Sequence, residues 1–230
     1  MNEQRVAEGS PQTIMTFMTT EHFNLQSARA AANSEISARL QLYLTTLSST
    51  IIALALAAQL PGLGADFRVF AIVLLPIVFL LGLVTLGRLN QLELEWRICG
   101  QGMNRIRHYF TEVAPAMERY FVLPTTDDPW ASLEAVGISS RSRTGWLLTG
   151  RALIAVVNSV VAGSFAGLLA SMAKPHAIAL PASCAAVAFV VSAVIIGAVE
   201  IRRHNRDMSV GRVEFPAEPP VGRGTLGGLA

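Results

Sequence analysis

The residues of this chain that have the types for chemistry lack its spacing. Asp127 and Asp128 are adjacent carboxylates, the start of many divalent-cation sites. A hard cation takes about six to eight oxygen ligands, and no companions follow at ligand spacing. With Pro129 and Trp130 next in line, the pair reads as a helix start. Asp128 is the N-cap, Pro129 takes the first helical position, and a short helix to about Val136 closes at Gly137. His108 stands among Arg105, Arg107 and Glu112, and a Glu four residues on is a helix-surface pair. Cys99 and Cys184 have no metal-ligand pattern and read as free, buried thiols. Gly100-Gln101-Gly102 follows no strand and is not a dinucleotide fingerprint. Zincin, nucleophile-elbow and Walker A motifs are missing from the sequence. The expectation is therefore a protein that is not an enzyme, with no catalytic, cofactor-binding or metal site.

Polar residues inside apolar stretches are the second kind of candidate. Thr45, Thr46, Ser48, Ser49 and Thr50 open the first apolar segment. In lipid such hydroxyls bond back to carbonyls one turn earlier, or across to a neighbouring helix. Thr46, Ser49 and Thr50, with Asn158 of the third segment, are the candidate polar lining. Asn158 lies about two turns into its segment and needs a partner there. Ala155, Ser159, Gly163, Gly167 and Ser171 recur every fourth residue, with Gly163 and Gly167 forming a GxxxG in an apolar context. Ser159, Gly163, Gly167 and Ser171 are thus a helix-packing face on which backbones can approach closely.

The composition explains where these residues must sit. Of the 230 residues, 52% are hydrophobic and 15% charged, and mean hydropathy is +0.46. Soluble domains carry about 25% charged residues, so the chain reads as an integral membrane protein. Four apolar segments, 42–60, 67–87, 147–172 and 182–199, are long enough for a bilayer core. The fold class expected is all-α: a polytopic membrane protein with four transmembrane helices in two hairpins and long cytosolic helical extensions. The layout runs as a disordered N-terminus (1–20, with Gly9-Ser10-Pro11 as a breaker), a cytosolic amphipathic helix (21–41) and a first hairpin (42–88, turning at Pro61-Gly62-Leu63-Gly64). A cytosolic helical segment (89–145), a second hairpin (146–200, turning at Lys174-Pro175-His176) and a disordered tail (201–230) follow. Pro76 kinks the second span or frees a carbonyl. Ser139-Ser140-Arg141-Ser142-Arg143 is a basic linker that would lie against anionic headgroups, and Trp146 is an interfacial anchor. Of the 18 Lys and Arg, only Arg68 and Lys174 flank the two short turns. The positive-inside rule then places both termini and the central segment in the cytosol, at the cytoplasmic membrane. No ionisable residue lies in the spans away from their ends, which argues against coupled transport.

One helix organises the chain. Leu89, Leu92, Trp96, Cys99, Met103, Ile106, Phe110, Val113, Met117 and Tyr120 are spaced alternately by three and four residues, an a/d seam of about four heptads. Asn90, Gln91, Glu93, Glu95, Arg97, Asn104, Arg105, Arg107, Glu112 and Arg119 lie off it as a solvated surface. The second span should run into this seam as one helix. Gly100 and Gly102 are a hinge or permit a close crossing, and at Pro115 the helix kinks or restarts. The mixed seam suits packing against the chain's own N-terminal helix, or a bundle of several subunits.

An amphipathic N-terminal helix, a tight two-span hairpin with Pro-Gly at its turn and a long cytosolic helix resemble the SLATT superfamily of bacterial two-span effectors. The likeness is architectural and covers Phe23 to Tyr120; the second hairpin departs from it. It implies oligomerisation and action on the membrane within nucleotide-signalling conflict systems, and brings no catalytic motif. The functional expectation is a self-associating membrane protein, an effector or channel-like assembly with a cytosolic helical sensing or docking layer. A non-conducting scaffold or accessory subunit is the alternative, and a small uncoupled transporter the third. The partners expected are the lipid bilayer, further copies of the chain and a protein bound through the cytosolic helices, with no nucleic acid and no cofactor.

Overall fold

The computed structural model describes residues 10–59, 64–129, 131, 149–173, 178–208 and 212–216. Among them every regular element is helical: α1 (Pro11–Gln59), α2 (Gly64–Val113), a 3-10 helix (Pro115–Tyr120), α3 (Gly150–Ala173) and α4 (Ala179–Met208). Each of the four α-helices is long and apolar enough to cross a membrane. Turn residues 61–63, Trp130, Gly137, the linker 139–143, Trp146 and residues 174–176, all assigned roles above, lie outside the described residues.

Helix α1 is 49 residues long because nothing between Gln12 and Gln59 interrupts it; the stretch contains neither Gly nor Pro. It starts at Pro11 rather than near Glu21, which corrects the reading of 1–20 as wholly disordered. The supposed breaker is the helix start: Ser10 Oγ accepts the Thr13 N–H at 3.2 Å, the Ser10 carbonyl accepts from Ile14 N at 3.0 Å, and Pro11 takes the first position. Helix α2 runs for 50 residues through Pro76 and the central glycines. It stops where Ala114 leaves helical geometry (φ −142°, ψ 77°) and Pro115 begins the 3-10 helix. Thr149 caps α3, its Oγ1 accepting the Ala152 N–H at 3.3 Å. Helix α4 continues to Met208, beyond the tail boundary expected at residue 201.

The chain divides into two compact units. The first comprises Met1–Arg29, Arg97–Ser140 and Gly211–Ala230; the second, Ala30–Trp96 and Arg141–Val210. In the second unit Tyr43, Val78, Leu86, Leu89, Ile154, Val161 and Ile196 form a core drawn from all four helices. Ile51, Ile52 and Leu56 of α1 and Val187, Val190 and Val194 of α4 are exposed, a surface suited to lipid rather than water. In the first unit Gly102 permits a close crossing: a Cβ there would lie 2.8 Å from Leu25 Cδ1.

The seam is used unevenly. Leu89, Leu92, Cys99, Met103 and Ile106 are buried, while Trp96 and Phe110 are half-buried. Val113, expected on the seam, is 61% exposed, and Met117 and Tyr120 lie beyond α2 and are exposed too. The off-seam face departs further from expectation. Asn90, Arg97 and Asn104, read as solvated, are 7%, 6% and 4% exposed. Heptad reading assumes one partner along one stripe, whereas α2 has neighbours on more than one side. Asn104 Nδ2 donates to the Thr126 carbonyl at 2.8 Å, and Gln101 Nε2 to the Asp127 carbonyl at 3.1 Å.

Candidate functional site

In the second unit, charged residues from three helices converge. Arg151, on the first turn of α3, is 17% exposed in its side chain; its Nη2 lies 2.8 Å from Glu93 Oε2 of α2 and its Nη1 3.7 Å from Glu200 Oε2 of α4. Asn90 completes the cluster. Its Oδ1 accepts from Arg151 Nη1 at 2.8 Å, and its Nδ2 donates to Glu200 Oε1 at 2.9 Å. These bonds fix the orientation of the Asn90 amide, since donor and acceptor cannot be exchanged. The cluster holds two carboxylates and one guanidinium. Glu35 of α1 makes a second pair, bidentate to Arg88 Nε and Nη2 at 3.0 Å each, and more open to solvent. A guanidinium matches a carboxylate in this forked way, so both arrangements tie helices together at defined registers.

Of the residues expected as a polar lining, Thr46, Ser49 and Thr50 lie on α1 and Asn158 on α3. Thr46 Oγ1 donates to the Leu42 carbonyl at 2.9 Å and Thr50 Oγ1 to the Thr46 carbonyl at 2.8 Å, each bonded back along its own helix. Ser49 is exposed. Asn158 is fully buried with Tyr43 and Gly82: a Cβ on Gly82 would lie 2.3 Å from Asn158 Oδ1 and 3.1 Å from Tyr43 Cε2. Of the packing face, Gly163 and Gly167 lie against α4. Added Cβ atoms would come within 2.8 Å of the Ala185 carbonyl oxygen and 3.0 Å of Ala185 Cβ respectively. Ser159 and Ser171 donate to the Ala155 and Leu168 carbonyls at 2.8 and 2.6 Å.

The first unit is organised around Asp127, whose side chain is fully buried. Its Oδ1 accepts the Phe215 N–H at 2.8 Å, and its Oδ2 accepts the Glu214 N–H at 3.0 Å and Arg105 Nε at 2.7 Å. The Asp127 N–H returns a bond to the Phe215 carbonyl at 3.1 Å. Arg105 also donates to the Arg212 carbonyl, and the Phe215 ring stacks on His108 with centroids 3.9 Å apart. Residues 212–216 are therefore docked, which corrects the expectation of a wholly disordered tail. Burial pushes the Asp127 carboxyl up, but the Glu214 and Phe215 amides and then Arg105 outweigh it and hold it below its ordinary range. Asp128 caps as expected, its Oδ1 accepting the Ala131 N–H at 3.0 Å. Beside this hub is a cleft of about 480 Å³ whose lining includes the apolar Leu25, Ile98 and Ile106 and the charged Glu21, Arg105 and Arg212.

No group of three His, Cys, Asp or Glu side chains able to hold a metal occurs among the described residues. His108 Nε2 lies 3.6 Å from Glu112 Oε1, the helix-surface pair its spacing implies. Sequence reasoning missed Asp127 as a hub, together with Glu93, Arg151 and Glu200. The available signal was positional: Glu93, Arg151 and Glu200 each lie at or near the edge of an apolar segment. No protein-family model, curated protein or solved structure matches the chain.

Proposed function

We propose that this protein is a self-associating integral membrane protein of the effector or channel-like kind, with its first unit as a cytosolic sensing or docking layer. The observation that carries this reading is the continuity of α1 and α2: two helices of 49 and 50 residues each combine an apolar span with a stretch of the first unit. In this reading a partner bound at the Asp127 hub or its cleft acts on the spans through α1 and α2. Both termini lie in the cytosol in this reading, and the architectural resemblance to SLATT effectors is part of it.

A specific observation favours a second reading, that of a non-conducting scaffold. Thr46 and Thr50 spend their hydroxyl donors on carbonyls of their own helix rather than keeping them for a hydrated lining. The test is the mass of the purified protein in nanodiscs, followed by thiol-reagent accessibility of the single variants Thr46→Cys, Ser49→Cys and Thr50→Cys in a background lacking Cys99 and Cys184. A defined homo-oligomer with reactive thiols is the result expected of a channel-like effector. An oligomer with protected thiols supports the scaffold, and a monomer overturns self-association.

A further inference from the structure

We propose that Asn158 and Tyr43 together hold a bound water molecule inside the second unit. Both side chains are fully buried. Among the described residues the Tyr43 hydroxyl and both amide atoms of Asn158 have no hydrogen-bond partner. The two residues come from different helices, α1 and α3, and both abut Gly82 of α2; a Cβ there would lie 2.3 Å from Asn158 Oδ1 and 3.1 Å from Tyr43 Cε2. Orphaned groups at such a position are costly, because in a span neither bulk water nor the lipid tails can satisfy them.

The chemistry of the three atoms selects the ligand. A carboxamide presents donors on nitrogen and an acceptor on oxygen, and a phenol presents one of each. A water molecule supplies two donors and two acceptors to match. Internal waters of this kind make about three hydrogen bonds to groups that otherwise lack partners. A cation is disfavoured because Asn158 and Tyr43 are both neutral and an unpaired buried charge is far costlier than a buried dipole. The bridging water would tie α1 to α3 across the glycine of α2. The small residue at position 82 is then explained: any side chain there would displace the Asn158 amide from the site.

The test uses the full chain reconstituted in liposomes with 15N-labelled asparagine and water-edited solid-state NMR. The Asn158 side-chain signal is assigned by its loss in Asn158→Leu or, should that variant not fold, in Asn158→Gln. Polarisation from water should reach the Asn158 amide within the mixing time that serves the exposed Asn24 and Asn33. Tyr43→Phe removes one of the two anchors and should weaken the transfer about twofold. A signal that receives no polarisation overturns the proposal, as does one that Tyr43→Phe leaves unchanged. A shift of the signal when sodium is replaced by choline at constant ionic strength also overturns it, in favour of a cation.

Discussion

Replacing Asp127 by Ala removes the acceptor of two backbone amides and of Arg105 Nε. Hydrogen bonds to an ionised group contribute about 1.5–3 kcal/mol each. Arg105 is 38% exposed and can turn to water, so its share is discounted. The two amide bonds, taken at the low end, amount to about 3 kcal/mol, or roughly a 100-fold change in the equilibrium for local opening. Hydrogen exchange of a peptide covering residues 212–216 reads that equilibrium, and Asp127→Asn, which keeps one acceptor oxygen, should fall between Ala and the unaltered chain. The same bonds set the pH dependence. The folded-state carboxyl is held below its unfolded value of about 3.9, so its stabilisation is complete above that pH and is lost as pH falls through the lower folded value. Protection, corrected for intrinsic exchange, should stay flat from pH 7 to about 4 and collapse only below. Unchanged protection in Asp127→Ala, or a collapse already under way at about pH 6, would refute the assignment of Asp127 as the tail's anchor.

Further outcomes, two as paired contrasts, are expected of thermal unfolding in nanodiscs, followed by tryptophan fluorescence. Arg151→Met removes the guanidinium from Glu93 and Glu200 and should destabilise by about 2–3 kcal/mol, the buried-pair cost discounted for exposure, whereas Arg39→Ala, which loses one exposed i,i+4 pair, should cost less than about 1 kcal/mol. Gly163→Ala forces a methyl against the Ala185 carbonyl and should destabilise by about 1–3 kcal/mol; Gly87→Ala meets nothing within 4 Å and should be neutral or stabilise by up to about 1 kcal/mol. Thr50→Val removes a hydroxyl bonded back to its own helix, together with its demand for a partner, and should change stability by less than about 1 kcal/mol.

The features legible in the sequence were those that depend on local pattern. Runs of apolar residues marked four helices able to cross a membrane, and the segment 21–41 was legible as helix, although α1 begins ten residues earlier, at Pro11. Asp128 and Pro129 marked a cap. What escaped was pairing between residues far apart in the chain. Asp127 looked like half of a carboxylate pair because its partners, the amides of Glu214 and Phe215, are backbone groups that no side-chain pattern reports. The Asn90, Arg151 and Glu200 cluster joins positions up to 110 apart, and periodicity carries no information at that range. Ser10-Pro11 was ambiguous in principle, since the same residues end one segment or begin the next, and only the Thr13 amide decides between them.

The self-association proposed for this protein has fewer surfaces available than its sequence advertises. Leu89, Leu92, Met103 and Ile106 of the seam are buried within one chain, and Gly163 and Gly167 are occupied by α4. A second copy in the same bilayer is left the outward faces, where Ile52 and Leu56 of α1 and Val190 and Val194 of α4 are 55–63% exposed. Association in lipid has no hydrophobic drive of its own and proceeds by close packing, and the β-branched Ile52, Val190 and Val194 lose little side-chain entropy when packed. In a chain lacking Cys99 and Cys184, single cysteines at Ile52 or Val190 should therefore trap covalent dimers under mild oxidation in membranes. Cysteines at Leu92 or Ser159, at 1% and 0% exposure, should not. Crosslinking through Leu92 or Ser159 would mean that the packing described for a single chain is exchanged between copies, and the seam or the Ser159 face respectively would then be the oligomer contact after all.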